Sequence, residues 1–213
     1  MPSTCGSCIY IRGTLESALC HEGNEKWRDS VGEAVEELDR LLQLLNTTLD
    51  LAEAEAGALH IDRNPVDFSD VVSQLVDIYH PAMAERHHEV TSDLEPHVVV
   101  DADLPLLNRV VSNLLENELT HLPLGCRVSI RLHSHEGSAE LVIEDNGPGF
   151  PPDIGSRAFE RFVKGKHSPG HGLGLAFVDA VVQAHGGTAS ISNRAGGGAV
   201  MTLSLPVSVL QVA

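Results

Sequence analysis

A long apolar heptad stripe near the N-terminus restricts the fold of this chain more than any other feature. The stripe predicts one α-helix with a coiled-coil-like seam over about four heptads. We expect this helix to begin near Asn24, to end at Gly57 and to be about 50 Å long. Its apolar residues, spaced alternately four and three apart, are Val31, Val35, Leu38, Leu42, Leu45, Leu49, Ala52 and Ala56.

A shorter helix is predicted upstream, over residues 9–20, so that residues 1–61 form an antiparallel helical hairpin. Two helices cannot bury so long a seam, and we therefore expect a homodimer through residues 9–56, as a four-helix bundle. The alternative is a stripe that packs on the chain's own C-terminal domain. Because the first helix is the shorter, exposed apolar surface is expected from Leu45 to Ala56.

A second domain is predicted for residues 62–213, after a linker that contains Gly57, Asn64 and Pro65. Apolar periodicity predicts an α+β fold, in which an α/β sandwich of mixed sheet carries helices on one face. The predicted helices are at about 69–86, 103–121 and 172–185, and the predicted strands are at 97–101, 127–134, 139–145, 188–193 and 199–206.

The charge balance narrows the choice of partners. The chain has 14 Lys and Arg against 30 Asp and Glu, a net charge of -16, which disfavours nucleic acid and anionic lipid. No apolar run or leader pattern predicts membrane contact. We expect a cytoplasmic region, alone or as the cytosolic part of a larger or membrane-attached sensor. Cys5 and Cys8 have the spacing of a redox or zinc half-site, but no second such pair follows, so reduced thiols are expected.

Three segments carry the chemistry. In the first, an apolar strand is followed directly by the sequence Asp-Asn-Gly-Pro-Gly, residues 145–149. Gly147 and Gly149 interrupt the strand and allow a flat ligand to approach the backbone. The Asp145 carboxylate would accept a hydrogen bond from an exocyclic amine. The alternative is a tight turn that closes the strand.

The other two segments are a helix with paired asparagines and a glycine-rich helix start. Asn113 and Asn117 share a helix face that His121 extends, and they present amide oxygens to a cation or, alternatively, form a solvent-facing stripe. The glycines of residues 170–174 precede an apolar helix, whose first N–H groups favour phosphate. A flexible hinge is the alternative for these glycines.

The order of these motifs resembles the ATP-binding domain of two-component sensor histidine kinases, over about residues 60–206. The long N-terminal helix also resembles the second helix of that family's dimerisation domain. The motifs N-x-x-x-N, D-N-G-x-G, F-x-x-F and G-x-G-L-G-L stand here as Asn113/Asn117, residues 145–149, Phe159/Phe162 and residues 170–175.

The resemblance implies Mg²⁺ and ATP as cofactors, transfer of the γ-phosphoryl group to a histidine, and a response regulator receiver domain as partner. It implies that Asp145 bonds the adenine amino group, that Asn117 coordinates Mg²⁺ and that Asn113 lies close to the phosphates. Further implied nucleotide contacts are His121, Gly147, Gly149, Gly170, Gly172, Leu173, Gly174, Leu175 and Thr202.

Residues from about Phe150 to Gly170 are implied to form a lid, anchored by Phe159 and Phe162. Arg161 and Lys164 match basic positions of this lid, and either would reach a phosphate. A lid that closes over ATP excludes water and positions the γ-phosphate.

The first departure from the family pattern is the phosphoacceptor. The family's acceptor histidine would fall near residue 2, where the sequence has none. Three explanations of the missing histidine are open. The upstream half of the first helix was truncated, the acceptor was lost naturally, or the chain phosphorylates or binds a separate protein. His21 is the nearest histidine, but it lies in the turn between the predicted helices. Cys5 and Cys8 are less suitable acceptors.

The second departure follows Asn117, where the family usually has alanine, then a basic residue two positions later and an aromatic residue next to it. Glu118, Thr120 and His121 stand there. A Glu118 carboxylate that faced the pocket would oppose ATP binding, whereas one that faced solvent would be neutral in effect.

Two alternatives to a kinase follow. A degenerate kinase would serve as a non-catalytic docking or regulatory module, as the missing acceptor suggests. An ATPase of the related gyrase and chaperone group would need a glutamate where Asn113 stands, and Glu116 is displaced about 60° around the helix.

Overall fold

The computed structural model describes residues 25–152, 154–165 and 171–208, and the chain divides into two compact units, Met1–Asp50 and Leu51–Ala213. The shorter helix predicted over residues 9–20, the Asn24 cap and Cys5 and Cys8 lie outside the described residues. The boundary predicted near residue 62 stays a prediction.

The heptad stripe forms one continuous helix, α1, over Glu25–Glu55. The chain leaves the helix at Gly57, whose φ of 64° is the left-handed conformation that favours glycine. Leu45 and Leu49 are 55% and 57% exposed, as the stripe predicts for this half of the helix. Among the described residues, no helix has the length and apolarity that a bilayer crossing requires.

The second unit alternates helices and strands as the periodicity predicts. Aspartates begin two of its helices: Asp67 accepts from Ser69 N at 3.1 Å, and Asp103 accepts from Leu106 N at 3.1 Å. The elements in chain order are β1 (Asn64–Asp67), α2 (Phe68–Glu85), β2 (Glu89–Leu94), β3 (Val99–Ala102), α3 (Leu104–His121), β4 (Arg127–His135), β5 (Ser138–Asp145), a 3₁₀ turn (Gly155–Arg157), α4 (Gly174–Ala184), β6 (Thr188–Asn193) and β7 (Ala199–Pro206).

Five strands form a mixed sheet in the order β2-β4-β5-β7-β6. The β2–β4 pair is parallel and the other three pairs are antiparallel. In the three inner strands β4, β5 and β7, side chains alternate between a buried face, which packs on the helices, and a more exposed, mostly polar face. The buried row of β5 consists of Ala139, Leu141, Ile143 and Asp145, so that one carboxylate lies at the end of an apolar row.

Two strands differ from the sequence prediction. Asn64 and Pro65, predicted as linker, belong to β1, which pairs antiparallel with β3 outside the main sheet. A proline is tolerated there because β1 has only one neighbouring strand. Strand β2 has no counterpart in the prediction, because an edge strand as polar as Glu89–Leu94 lacks the apolar alternation that marks a buried strand.

Candidate functional site

Asp145 lies at the C-terminal end of β5 with its carboxylate held by backbone donors. Its Oδ1 accepts from Gly147 N at 2.6 Å, and its Oδ2 accepts from Ala199 N at 3.0 Å. The residue is buried. Two N–H donors fix the orientation of the carboxylate and leave lone pairs for a further donor.

The glycines after Asp145 are required by contacts within the protein. A Cβ at Gly147 would lie 2.5 Å from Leu122 Cδ2 and 2.9 Å from Asp145 Oδ1. Gly149 has a φ of 72°, and a Cβ there would lie 2.7 Å from Asn193 Oδ1. The loop is therefore pressed between the end of α3 and the residue that ends β6, a requirement that is independent of any bound base.

The paired asparagines of α3 face the start of α4. Asn113 Nδ2 donates to Arg109 O at 2.9 Å, and Asn113 Oδ1 would be 3.2 Å from a Cβ at Gly174. The buried Asn117 Nδ2 has no hydrogen-bond partner among the described residues. Because buried amides are almost always paired, this N–H group is available to donate to an acceptor that binds beside α3. His121 is exposed at the end of the helix.

Helix α4 begins at Gly174, two residues later than predicted, and in the part of the chain that the structure describes no side chain caps its first N–H groups. Gly172 cannot join the helix because its φ is 69°, and its Cβ position lies 2.8 Å from Val163 O. Leu173 is buried and Leu175 is half-buried. The open N-terminus faces the asparagine helix, an arrangement that favours an anion. Gly170 lies outside the described residues.

Glu118 is 4% exposed, which decides between the two orientations left open by the sequence. Its side chain lies inward, on the stripe of α3 that includes the buried Leu115 and Leu122. Burial, followed by the nearby Asp145 charge, raises the pKa of Glu118 from 4.5 to about 8. This carboxyl group is therefore mainly protonated at neutral pH.

The predicted lid residues have different environments. Phe159 is half-buried, whereas Phe162 is exposed, with a φ of 61°. Phe162 N donates to Gly172 O at 2.9 Å, which ties the segment to the approach to α4. Arg161 donates from Nη2 to Leu51 O at 2.6 Å. Lys164 is exposed.

Thr202 is not brought together with the other site residues. On β7, Met201 and Leu203 are buried against the helices, so Thr202 between them lies on the opposite face, beside Val142 of β5. Strand alternation in the sequence already contained this signal.

The turn between β6 and β7 is part of the site, although none of the three motifs in the sequence includes it. Gly198 has a φ of 102°, and a Cβ there would lie 2.0 Å from Asp145 O. Arg194 Nη1 donates to that same carbonyl oxygen at 3.2 Å. The run of three glycines at residues 196–198 is the sequence signal that marks such a close approach.

Known proteins resemble this chain in sequence and in fold. Residues 102–209, just over half of the chain, match the histidine kinase-, DNA gyrase B- and HSP90-like ATPase family. A solved structure of the mycobacterial sensor histidine kinase MprB is 35% identical, and the match covers 98% of that structure and 68% of this chain with a TM-score of 0.62. This chain belongs to the histidine kinase ATPase family.

Longer relatives show the same resemblance. The probable sensor histidine kinase TcrY of Mycobacterium tuberculosis is 36% identical over 193 residues, which are 87% of this chain and 40% of TcrY. The sensor protein KdpD of Escherichia coli is 33% identical over 77% of this chain and 18% of KdpD. Full-length ShkA, solved in complex with AMPPNP, has a TM-score of 0.78 and 26% identity over 96% of this chain and 45% of that chain. The chain therefore spans less than half of these proteins and contains the catalytic ATPase domain of a two-component sensor histidine kinase.

Proposed function

We propose that this domain binds Mg-ATP and transfers its γ-phosphoryl group to a histidine, for relay to a response regulator. The observation that carries the proposal is the position of α3, which meets both other motifs. Its Asn113 abuts Gly174 at the start of α4, and Leu122, the residue that follows its last turn, abuts Gly147 beside Asp145. The adenine base of ATP would lie near Asp145, at the C-terminal end of α3, and its phosphates would lie beside Asn113 and the start of α4.

Each residue has a role in this proposal. The Asp145 carboxylate accepts from the adenine amino group, and the backbone of Gly147 and Gly149 shapes the base pocket. The uncapped N–H groups at Gly174 and Leu175 bind phosphate oxygens, with Gly172 and Leu173 on the approach to them.

Mg²⁺ fits the residues present, because the side chain of Asn117 supplies an amide oxygen, which is a suitable ligand for a hard cation. Its buried Nδ2, which has no partner among the described residues, is a donor and would bond a phosphate oxygen. When bound, the ion neutralises phosphate charge. Asn117 would hold it, while Asn113 orients the phosphates and Lys164 or Arg161 binds the transferred group. In the transfer, a neutral imidazole nitrogen forms the N–P bond, the bond from phosphorus to the ADP oxygen breaks, and ADP leaves with those electrons.

The acceptor histidine and the receiver domain are proposed to lie outside the described residues. A solved structure of the histidine kinase ThkA in complex with the response regulator TrrA shares the fold of this chain, at a TM-score of 0.67 and 16% identity. We also propose that residues 9–56 form the homodimer contact, since the exposed Leu45 and Leu49 of α1 offer a seam.

The test is ATP binding by calorimetry with and without Mg²⁺, followed by labelled ATP offered with a separate phosphoacceptor domain. We expect micromolar binding that requires Mg²⁺ for full affinity, and transfer of label to the acceptor histidine. Asp145→Asn and Asn117→Ala should each lose at least tenfold in affinity, as buried polar contacts do. Asn64→Ala, at an exposed amide on β1, is the matched control. A folded wild-type protein that does not bind ATP would refute the proposal.

A second candidate is a regulatory module that binds nucleotide weakly and transfers nothing. The buried Glu118 favours it, because this larger side chain lies near Asp145, at a position where the family usually has alanine. Binding without label transfer to the acceptor domain would support this candidate over the kinase.

A further inference from the structure

The side chain of Asn193 forms a two-pronged hydrogen bond with the backbone of one residue. Asn193 Oδ1 accepts from Phe150 N at 2.8 Å, and Asn193 Nδ2 donates to Phe150 O at 2.8 Å. The amide thus pairs with Phe150 as a neighbouring strand would. Only one orientation of the amide satisfies both bonds, so its oxygen and nitrogen are assigned by the geometry.

The same hairpin also holds the other end of the loop. Arg194 Nη1 donates to Asp145 O at 3.2 Å, and Ala199 N donates to Asp145 Oδ2 at 3.0 Å. Asn193 and Ala199 are paired across the end of the hairpin. Asn193, Arg194 and Ala199, at the turn between β6 and β7, therefore hold the segment 145–150 by hydrogen bonds to its first and last residues.

The turn itself is internally braced. Arg194 N donates to Gly198 O at 2.9 Å, and Gly197 N donates to Arg194 O at 3.2 Å. A rigid turn that contacts both ends of a loop fixes the distance between them. Gly149, whose Cβ position lies 2.7 Å from Asn193 Oδ1, leaves the space that this contact needs.

We propose that Asn193 is a positioning residue for nucleotide binding, which acts through the Phe150 backbone to hold the loop 145–149 in its binding conformation. The role rests on the proposed function. Asn193 binds no part of the nucleotide. Because it fixes Phe150, it determines where the chain leaves Gly149, and so where the Gly147 and Gly149 backbone faces the base. Without it, ATP binding would have to order the loop, which lowers affinity.

The test compares Asn193→Ala, Asn193→Asp and the control Asn64→Ala in two measurements. In calorimetry with Mg-ATP, Asn193→Ala should weaken binding about tenfold. Asn193→Asp keeps the acceptor for Phe150 N but loses the donor, and should recover part of that loss. Asn64→Ala, which removes an exposed amide that donates to Asp62 O, should remain within about twofold of wild type.

In the nucleotide-free protein, hydrogen exchange supplies a readout that a general loss of stability would not mimic. We expect faster exchange at Gly147 and Phe150 in Asn193→Ala, with β4 and β5 unchanged. Wild-type affinity in Asn193→Ala, or faster exchange throughout the sheet, would overturn the positioning role alone. Failure of the wild type to bind ATP would overturn the proposed function, and the role of Asn193 would fall with it.

Discussion

At the scale of single residues, Glu118 is a carboxyl group in a position that suits an apolar side chain. It lies on the stripe of α3 that continues through Leu115 and Leu122 toward the sheet. Neighbouring groups come from several elements. Asp145 of β5 repels its charge, burial raises the pKa of the Cys126 thiol, and burial lowers the pKa of His88. Arg86 donates to Leu122 O at 2.8 Å.

We predict that Glu118→Gln removes a decrease in the free energy of unfolding that the wild-type protein shows as pH rises. The folded-state pKa of about 8 lies above the ordinary 4.5, so the folded protein holds this proton more tightly than the unfolded chain does. The stability that this protonated carboxyl group contributes is complete below pH 4.5 and is lost as pH rises through 8, on the order of 5 kcal/mol in total at about 1.4 kcal/mol per pKa unit. Urea unfolding should show the variant to be more stable than wild type at pH 8, and the advantage should shrink at pH 5.

Glu140→Gln is the control, because Glu140 is exposed on β5 and loses the same charge. It should change the free energy of unfolding by less than about 0.5 kcal/mol at either pH. A Glu118→Gln variant that is less stable than wild type at pH 8 would show that the ionised carboxylate is stabilised.

Alanine substitution at two glycines of one turn would distinguish the cost of backbone strain from the cost of a steric clash. Gly196 and Gly198 have φ values of 104° and 102°, but only Gly198 has a neighbour, Asp145 O, at 2.0 Å from its Cβ position. We predict that Gly196→Ala costs about 1–2 kcal/mol from the left-handed conformation alone. Gly198→Ala should cost clearly more and displace Asp145. Thermal unfolding measures the first effect and ATP affinity the second; equal costs would contradict the prediction.

At the scale of elements, His185 joins the end of α4 to the start of α3. Its Nδ1 donates to Val181 O at 2.7 Å, and its Nε2 accepts from Asp103 N at 3.0 Å. Both bonds require the neutral imidazole with its proton on Nδ1. Asp103 is also the N-cap of α3. One buried ring therefore sets the relation between the two helices that contribute Asn113 and Gly174.

His185→Ala is predicted to lower the free energy of unfolding by about 2 kcal/mol, because Asp103 N loses its partner in a part-buried site. Chemical denaturation measures this change, with His80→Ala at an exposed position of α2 as control. If the two variants were equally stable, the link between α3 and α4 would not depend on His185.

Elements with strong local patterns were predictable, and those defined by their neighbours were not. Helix α3, with Asp103 before Leu104, was predicted to within one residue, because an N-cap and an apolar stripe are local. Strand β2 was missed because its place beside β4 depends on a parallel pairing with a strand more than 30 residues away. The contact of Thr202 with the adenine, which the resemblance implies, stays a prediction, although the apolar alternation of β7 places Thr202 on the face opposite Met201 and Leu203.

At the scale of the whole molecule, the net charge of -16 opposes a compact fold. Raising NaCl from about 10 mM to about 150 mM shortens the screening length from roughly 30 Å to roughly 8 Å. We predict that the melting temperature rises by several degrees over this range, because repulsion among surface carboxylates is screened. Calorimetry at constant pH in NaCl and KCl measures the effect, and the two salts should agree. A melting temperature that stays constant or falls would contradict the prediction.

Local patterns of residues were enough to predict the long helix α1, most elements of the second unit and the three motifs. Helical periodicity and the glycine requirement for left-handed φ at Gly149 and Gly172 are properties of a residue and its near neighbours. The burial of Glu118, and the hydrogen bonds by which Asn193 and Arg194 hold the Asp145 loop, follow from the packing of the folded chain. These contacts depend on which strands pair and how α3 packs on the sheet, and burial and non-local hydrogen bonding are set by groups that lie far away along the chain.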